Sequence, residues 1–338
     1  MQFHIFIKQH DLHPVTRDLL LPCALRVTCA TMAGLDAIVY RQDGTSTTWD
    51  RFMSSPLLYL ARWLHRSEAA PSAASGTPPV RIVCISDTHS THHAQPPLPE
   101  GDILIHAGDL TQSGTHHELD DALAWLDLQS HPHKIFIAGN HDVALMSPET
   151  RRCISPGLTY LENSSVELTI SGRKLRIYGS PYTPKHGSWP FQYPRVHPLS
   201  TTPSRLATHE IWSGIPPLTD VLITHGPPFA HLDADRYGCY GLVTALWRVR
   251  PRLHVFGHIH VGRGVECLKW DQAQMTYENI CAGRIGWGGL LRLLWYKLTA
   301  RLRRLFLRDD DIRSLLVNAA AIGGSRDEHR KGAIVVEI

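Results

Sequence analysis

Among its 338 residues the chain has no Cys-x-x-Cys pair, no apolar run long enough to cross a bilayer and no one-sided charge. Each absence removes a class of protein. The seven cysteines, Cys23, Cys29, Cys84, Cys153, Cys239, Cys267 and Cys281, are odd in number and scattered. That excludes a small disulfide-stapled scaffold and fits a reducing compartment. Lysine and arginine number 34 against 31 aspartates and glutamates, a net charge of +3, so bulk charge points to no specific nucleic-acid partner. The first ten residues hold no basic stretch followed by an apolar one, and Arg26 and Asp36 interrupt the segment 19–40. Neither a secretory leader nor a membrane span is expected, which leaves an ordinary globular, cytoplasmic protein.

An apolar content of 43% can supply a real core, and 22 histidines raise the prior for metal or acid–base chemistry without locating it. Residues 67–79, SEAAPSAASGTPP, are small, proline-rich and non-periodic, the composition of a linker. They divide an N-terminal extension, 1–66, from a main domain, 80–338. In the extension, residues 56–65 place Leu57, Leu60, Ala61 and Leu64 on one face of a helix expected to dock on the main domain.

From residue 80 the chain repeats one grammar: a short, β-rich apolar run, then a turn crowded with Asp, His, Asn and Gly. The runs end at Asp87, Asp109, Asn140, His225 and His258. Near-continuous apolar strands are what a sheet covered on both faces requires, and ligands of open α/β sheets sit beyond the strands' carboxyl ends, so one shared crevice is expected. Between the second and third runs a helix is predicted, with Thr115 and Glu118 as a capping box and Leu119, Ala122, Leu123 and Leu126 facing inward. Segment 181–198, rich in proline and aromatics, reads as a long loop near the mouth of the site.

The informative residues are Asp87 and His89, Gly108 and Asp109, the run Gly139-Asn140-His141-Asp142, His225, and His258 with His260. No one of these is specific alone; their order, each at a strand end, is. Imidazole and carboxylate suit divalent Mn, Fe or Zn, and the absence of thiolates argues against a structural zinc knuckle. One carboxylate can bridge two ions, and a neutral asparagine ligand keeps the cluster net positive, able to attract a phosphate.

In order and type these elements resemble the calcineurin-like metallophosphoesterase superfamily: Asp-x-His, Gly-Asp, Gly-Asn-His-Asp/Glu, His, Gly-His-x-His. Strings such as ISDTHSTHH, KIFIAGNHD, DVLITHGPP and LHVFGHIHVGRG are similar to the metallophosphoesterase domain-containing branch, related to class III cyclic nucleotide phosphodiesterases. The resemblance runs from about 81 to 266 and resumes over 317–338. It implies a four-layer α/β/β/α sandwich with an N-terminal extension and a helical insertion at about 283–313, before the last strands. By the same resemblance Asp87, His89 and His260 hold one divalent ion, Asn140, His225 and His258 hold the other, and Asp109 bridges them. A bridging hydroxide is then the nucleophile; Asn140 and His141 meet the substrate, His141 protonates the leaving oxygen, and Asp142 orients the His141 ring. The implied activity is hydrolysis of small-molecule phosphodiesters, cyclic nucleotides included. The alternatives are a phosphomonoesterase or protein phosphatase, and a weakly active nucleotide-binding scaffold.

The strip 287–308 has no acidic residue, and Leu291, Leu294, Trp295, Leu298, Leu302 and Leu305 recur at helical spacing among Arg292, Lys297, Arg301, Arg303, Arg304 and Arg308. Two readings stand: a peripheral contact with an anionic membrane or a partner protein, or a helix covering the sheet. Cys239, between two ligands, reads as packed rather than nucleophilic.

Overall fold

The computed structural model describes residues 47–66, 78–200, 210–234, 237–304, 312–323 and 329–338. Its helices are α1 (Thr48–Ser54), α2 (Pro56–His65), α3 (His116–Asp127), α4 (Pro148–Arg152), α5 (Tyr240–Val249), α6 (Gln272–Cys281) and α7 (Trp287–Arg304). The first sheet contains β1 (Arg81–Ile85), β2 (Ile103–His106), β3 (His133–Phe136) and β4 (Thr159–Tyr160) in parallel. The second contains β5 (Ser164–Ile170), β6 (Arg173–Ser180), β7 (Val221–Thr224), β8 (Leu253–Phe256), β9 (Gly264–Lys269) and β10 (Arg313–Asn318). Strand β11 (Ile334–Glu337) closes the first sheet, antiparallel to β1. The strand orders are β11-β1-β2-β3-β4 and β9-β10-β8-β7-β6-β5.

The period-2 alternation of each strand sends its residues to two different apolar layers. Ile82, Cys84, Ile103, Ile105 and Ile135 meet Ile177, Val221, Ile223, Leu253 and Val255 across the gap between the sheets. The alternate residues Val83, Ile85, Leu104 and Phe136 pack on Leu119, Ala122 and Leu126 of α3. On the far side of the second sheet Tyr178 and Leu222 pack on Leu242, Ala245, Leu246 and Val249 of α5. Two sheets, each with helices outside, give the expected α/β sandwich. The near-continuous apolar runs follow from it, because a strand buried on both faces has no side left for water. Full burial of each such side chain stabilises the fold by about 1.5–3 kcal/mol. The capping box of α3 is present: Thr115 Oγ1 accepts from the Glu118 amide at 3.2 Å, and Glu118 Oε2 accepts from the Thr115 amide at 3.1 Å.

Segment 181–198 is more ordered than a plain loop. Thr183–Pro184 and Gln192–Tyr193 form a short parallel pair that folds its middle back toward the carboxyl ends of the strands. The linker reading falls almost wholly on residues outside the described set, as do Leu305 and Arg308 of the basic strip.

The extension helix does dock. Ala61, Leu57 and Leu64 of α2 share a cluster with Ala273, Tyr277 and Ile280 of α6 and Leu290, Leu293 and Tyr296 of α7. Leu58, rather than the expected Leu60, completes the α2 contribution. A polar tie joins this cluster to the sandwich. Glu266 of β9 accepts from His65 Nε2 at 2.6 Å and from His231 Nδ1 at 2.9 Å, while His231 Nε2 faces Glu278 of α6 at 3.3 Å. Burial disfavours the His231 cation, but Glu266 and Glu278 overcome it and push His231 up to about 10. Breaking a buried pair by removing one partner costs about 3–5 kcal/mol, so His231→Ala is expected to lose stability on that scale in urea denaturation. Because the folded pKa is raised above its unfolded value near 6.5, this contribution is fully present below about pH 6.5 and fades as pH rises through 10. The gap between wild type and variant should therefore narrow from pH 7 to 10; a gap constant over that range would contradict the ionic account.

Candidate metal centre

Strands from both sheets deliver the candidate ligands. Asp87 and His89 follow β1, Asp109 follows β2, Asn140 follows β3, His225 follows β7, and His258 and His260 follow β8. The backbone at four of them is left-handed: φ is 54° at Asp87, 42° at His89, 54° at Asp109 and 68° at His258. Such positions cost non-glycine residues about 1–3 kcal/mol each and persist only where the surroundings over-determine them. Here the turns are pinned by ladder-like bonds, Asp87 N to Gly108 O at 2.9 Å and His89 N to Asp109 O at 3.1 Å. Two glycines let strands and carboxylates approach. A Cβ at Gly139 would lie 2.2 Å from Asp109 Oδ1, and one at Gly257 would lie 2.0 Å from Asp87 Oδ2.

The side chains converge in two overlapping groups. In the first, His89 Nε2 lies 4.0 Å from Asp87 Oδ1 and 3.6 Å from Asp109 Oδ2, and His260 Nε2 lies 3.4 Å from Asp87 Oδ1. In the second, His225 Nε2 lies 3.2 Å from Asp109 Oδ2 and 3.1 Å from Asn140 Oδ1, and His258 joins Asp109 and His225 with its ligand atom within 4.8 Å of theirs. Asp109 belongs to both groups. Both ring nitrogens of His89 are buried without a hydrogen-bond partner, a cost a protein tolerates where something else engages the ring. The donor set of imidazoles, carboxylates and one amide oxygen, with that orphaned ring, fits divalent cations. Ring orientation supports it: His225 Nδ1 donates to the Ala107 carbonyl at 2.9 Å, which leaves Nε2 as the ring atom facing the cluster.

Electrostatics point the same way. Burial opposes ionisation of Asp87 and Asp109, yet the imidazoles around them, His260 beside Asp87 and His225 beside Asp109, hold both well below the usual carboxylate range. His225 is pushed up to about 9 by Asp109 despite burial, whereas burial holds His258 down at about 3. A cluster that keeps its carboxylates charged and draws a proton onto one imidazole is a cluster that attracts positive charge.

His141 stands beside this centre. Its amide donates to Asp109 Oδ1 at 2.7 Å, its ring centroid is 4.6 Å from that of His89, and its Nδ1 donates to the Gln112 carbonyl at 2.6 Å. The expected orienting role of Asp142 is not what the structure displays. Asp142 Oδ1 accepts from the Thr111 amide at 2.9 Å and hydroxyl at 2.7 Å, and Oδ2 from the Gly139 amide at 2.8 Å and the Leu110 amide at 3.2 Å. A carboxylate saturated by backbone donors clamps the turns after β2 and β3 together, while a main-chain carbonyl holds the ring. Burial first, then the neighbouring Asp109, raise Asp142 to about 6.

Two residues that strand-end reasoning missed come from segment 181–198. Trp189 stacks on His141, centroids 4.4 Å apart and planes 29° apart, and His186 sets its ring 4.6 Å from that of His258. Gln192 Nε2 lies 2.8 Å from His186 Nδ1 and steadies it. The only sequence signal was aromatic and histidine content in a loop between ligand motifs. Cys239 is packed, as read: its Sγ accepts from Tyr193 Oη at 2.8 Å and from the Leu242 amide at 3.2 Å at the start of α5.

This sandwich and this constellation define a metal-dependent phosphoesterase architecture, and the calcineurin-like phosphoesterase family matches residues 80–262. The chain belongs to that family of metal-dependent hydrolases of phosphoric esters, whose centres are typically dinuclear. Metallophosphoesterase domain-containing protein 1 of Homo sapiens is 35% identical over 289 residues, covering 73% of this chain and 84% of that protein. A UPF0046 protein of Caenorhabditis elegans is 33% identical over 241 residues, 66% of this chain and 78% of that one. A protein of Emericella nidulans named Probable rhamnogalacturonate lyase C is 44% identical over 317 residues, 90% of this chain, and the chain spans 29% of its length.

Metal analysis tests the ligand set without recourse to activity. Asp109→Ala should reduce bound Mn after dialysis from about two per chain to less than one, because both groups lose a member. Gly257→Ala, which removes no ligand side chain but drives a Cβ against the Asp87 carboxylate, should weaken metal binding about 10–100-fold. Full metal content in Asp109→Ala would remove Asp109 from the centre.

Proposed function

We propose that the protein is a cytoplasmic phosphodiesterase acting on small-molecule diesters, cyclic nucleotides included, with Asp87, His89, Asp109 and His260 around one divalent ion and Asp109, Asn140, His225 and His258 around the other. Manganese, iron and zinc all suit these donors. When bound, such a pair activates water for in-line attack and polarises the phosphoryl oxygens. The chain's own groups do the rest. Asn140 presents a neutral amide, which keeps the centre attractive to an anion. His141 is the general acid: with Nδ1 committed to the Gln112 carbonyl, its Nε2 is the atom that can hand a proton to the departing oxygen. The single observation that supports this reading most is the fixed His141 ring, set between His89 and the face of Trp189.

The preference for diesters rests on charge. Among the described residues the side chains gathered at the centre are imidazoles, carboxylates, one amide and one indole, while the Arg195 guanidinium, whose charge is felt at His186, donates to the Tyr237 carbonyl. A monoanionic diester needs less cationic compensation than a dianionic monoester. Trp189 adds a flat apolar surface on which a nucleobase can stack, an interaction worth about 1–3 kcal/mol.

Steady-state assays of the Mn-loaded protein on bis-p-nitrophenyl phosphate, p-nitrophenyl phosphate and a set of 2′,3′- and 3′,5′-cyclic nucleotides test this. Diesters should exceed monoesters in kcat/KM by more than tenfold. His141→Ala should lower kcat on cyclic nucleotides by about 10²–10⁴, and on bis-p-nitrophenyl phosphate by much less, because p-nitrophenolate leaves without a proton. A preference for monoesters would replace the reading with a phosphatase. Equal background from wild type, Asp109→Ala and His141→Ala would leave a binding scaffold.

A further inference from the structure

Helix α7 carries two apolar faces, and among the described residues one of them is packed against the rest of the fold. Its inner face, with Leu293 fully buried and Leu290 and Tyr296 partly so, packs on Ala61 of α2 and on Tyr277 and Ile280 of α6. The other face carries Trp287, Leu291, Leu294, Trp295, Leu298 and Leu302, each between 50% and 70% exposed. At 100° per residue these six positions fall in one stripe along four turns, nearly opposite Leu293. Six large apolar side chains in one exposed row are more than the scattered singles any surface carries.

The charges around the stripe define what it suits. Between Trp287 and Arg304 there is no acidic residue. Arg292 and Arg303 fall along one side of the stripe and Arg301 along the other, where long cationic stems can lie beside apolar side chains and keep their heads at the level of an anionic layer. Two tryptophans, Trp287 and Trp295, sit within the stripe, the residue type that prefers the boundary between headgroups and acyl chains. The helix cannot cross: among the described residues no helix is long and apolar enough to span a membrane. An apolar stripe bordered on both sides by cations, on a helix whose opposite face is anchored to the protein, has the layout of an in-plane interfacial helix.

We propose that the outer face of α7 docks on the surface of an anionic lipid bilayer, seating the enzyme at the membrane with the stripe in the headgroup layer. This is independent of which ester the metal centre hydrolyses. Docking combines apolar insertion with charge attraction, so it requires both the stripe and an acidic surface, and it weakens with salt.

The full-length chain is tested by co-sedimentation with vesicles of phosphatidylcholine alone and of phosphatidylcholine with 30% phosphatidylserine. The wild type should bind the anionic vesicles at least tenfold better than the neutral ones, with the excess lost at 0.5 M salt. Leu294→Glu with Leu298→Glu should abolish binding, and Arg292→Gln with Arg301→Gln and Arg303→Gln should reduce it at least fivefold without altering the apolar stripe. Both variants should keep wild-type metal content and thermal midpoint, which separates lost docking from lost folding. Absence of wild-type binding, or equal binding by all three proteins, would overturn the proposal. So would a wild-type dimer in light scattering that becomes a monomer in Leu294→Glu with Leu298→Glu while no chain binds vesicles, because the stripe would then be a seam between two copies.

Discussion

The constraint on which the site depends is that strands of two different sheets must end at one place. β1, β2 and β3 approach from the first sheet and β7 and β8 from the second, and their carboxyl ends meet where the sandwich opens. A ligand one residue late would point to the opposite layer, because strand side chains alternate. The chain meets this demand just past the strand ends: Asp87, Asp109 and His258 turn through left-handed φ values within three residues of the last strand residue. Backbone strain at these residues is offset by the apolar layers behind them, which hold the strand ends in place whether or not the turns are comfortable.

Around that convergence the protein sets the chemistry with main-chain atoms as much as with side chains. The carbonyl of Ala107 holds the ring of His225, the carbonyl of Gln112 holds that of His141, and the His258 amide donates at 2.9 Å to both oxygens of Asp87. Main-chain partners move only if a strand moves, so the orientation of each ring is inherited from the sheets. Asp142 extends the scheme: by gathering amides and a hydroxyl from the turns after β2 and β3 it fastens Asp109 to the His141 segment. Its influence on His141 runs through the backbone.

Much of this was legible in sequence, for a definable reason. Strands buried on both faces read as apolar runs, and residues able to hold cations are polar and abrupt at their ends, so the five runs and their terminal residues announce both sheets and the candidate centre. The less legible parts rest on contacts that carry no periodicity. Trp189 and His186 reach the centre because a two-residue strand pair folds a proline-rich segment back on itself. His65 and Glu266 are 201 positions apart, and nothing local marks them as partners. The role expected of Asp142 followed from its adjacency to His141, but adjacent residues in a turn point apart. For α7, helical spacing reveals an apolar stripe without saying which side faces inward: Leu290, Leu293 and Tyr296 form one row, and Leu291, Leu294 and Leu298 another, and only packing distinguishes them.

That distinction bears on how the accessory helices relate to the catalytic body. Helices α2 and α7 lie outside the stretch 80–262 that matches the family, and they are far apart in sequence, yet they share one apolar cluster with α6. Hydrophobic contact in such a cluster is non-directional. The His65, Glu266, His231 and Glu278 network supplies the missing direction, because hydrogen bonds to a buried charge hold an angle where apolar contact holds only a distance. Glu266 lies on β9, six residues beyond the candidate ligand His260, and β9 is laddered to β10 in the catalytic sheet. The exposed face of α7 is therefore carried on helices tied through Glu266 to the strand that follows the candidate ligand His260.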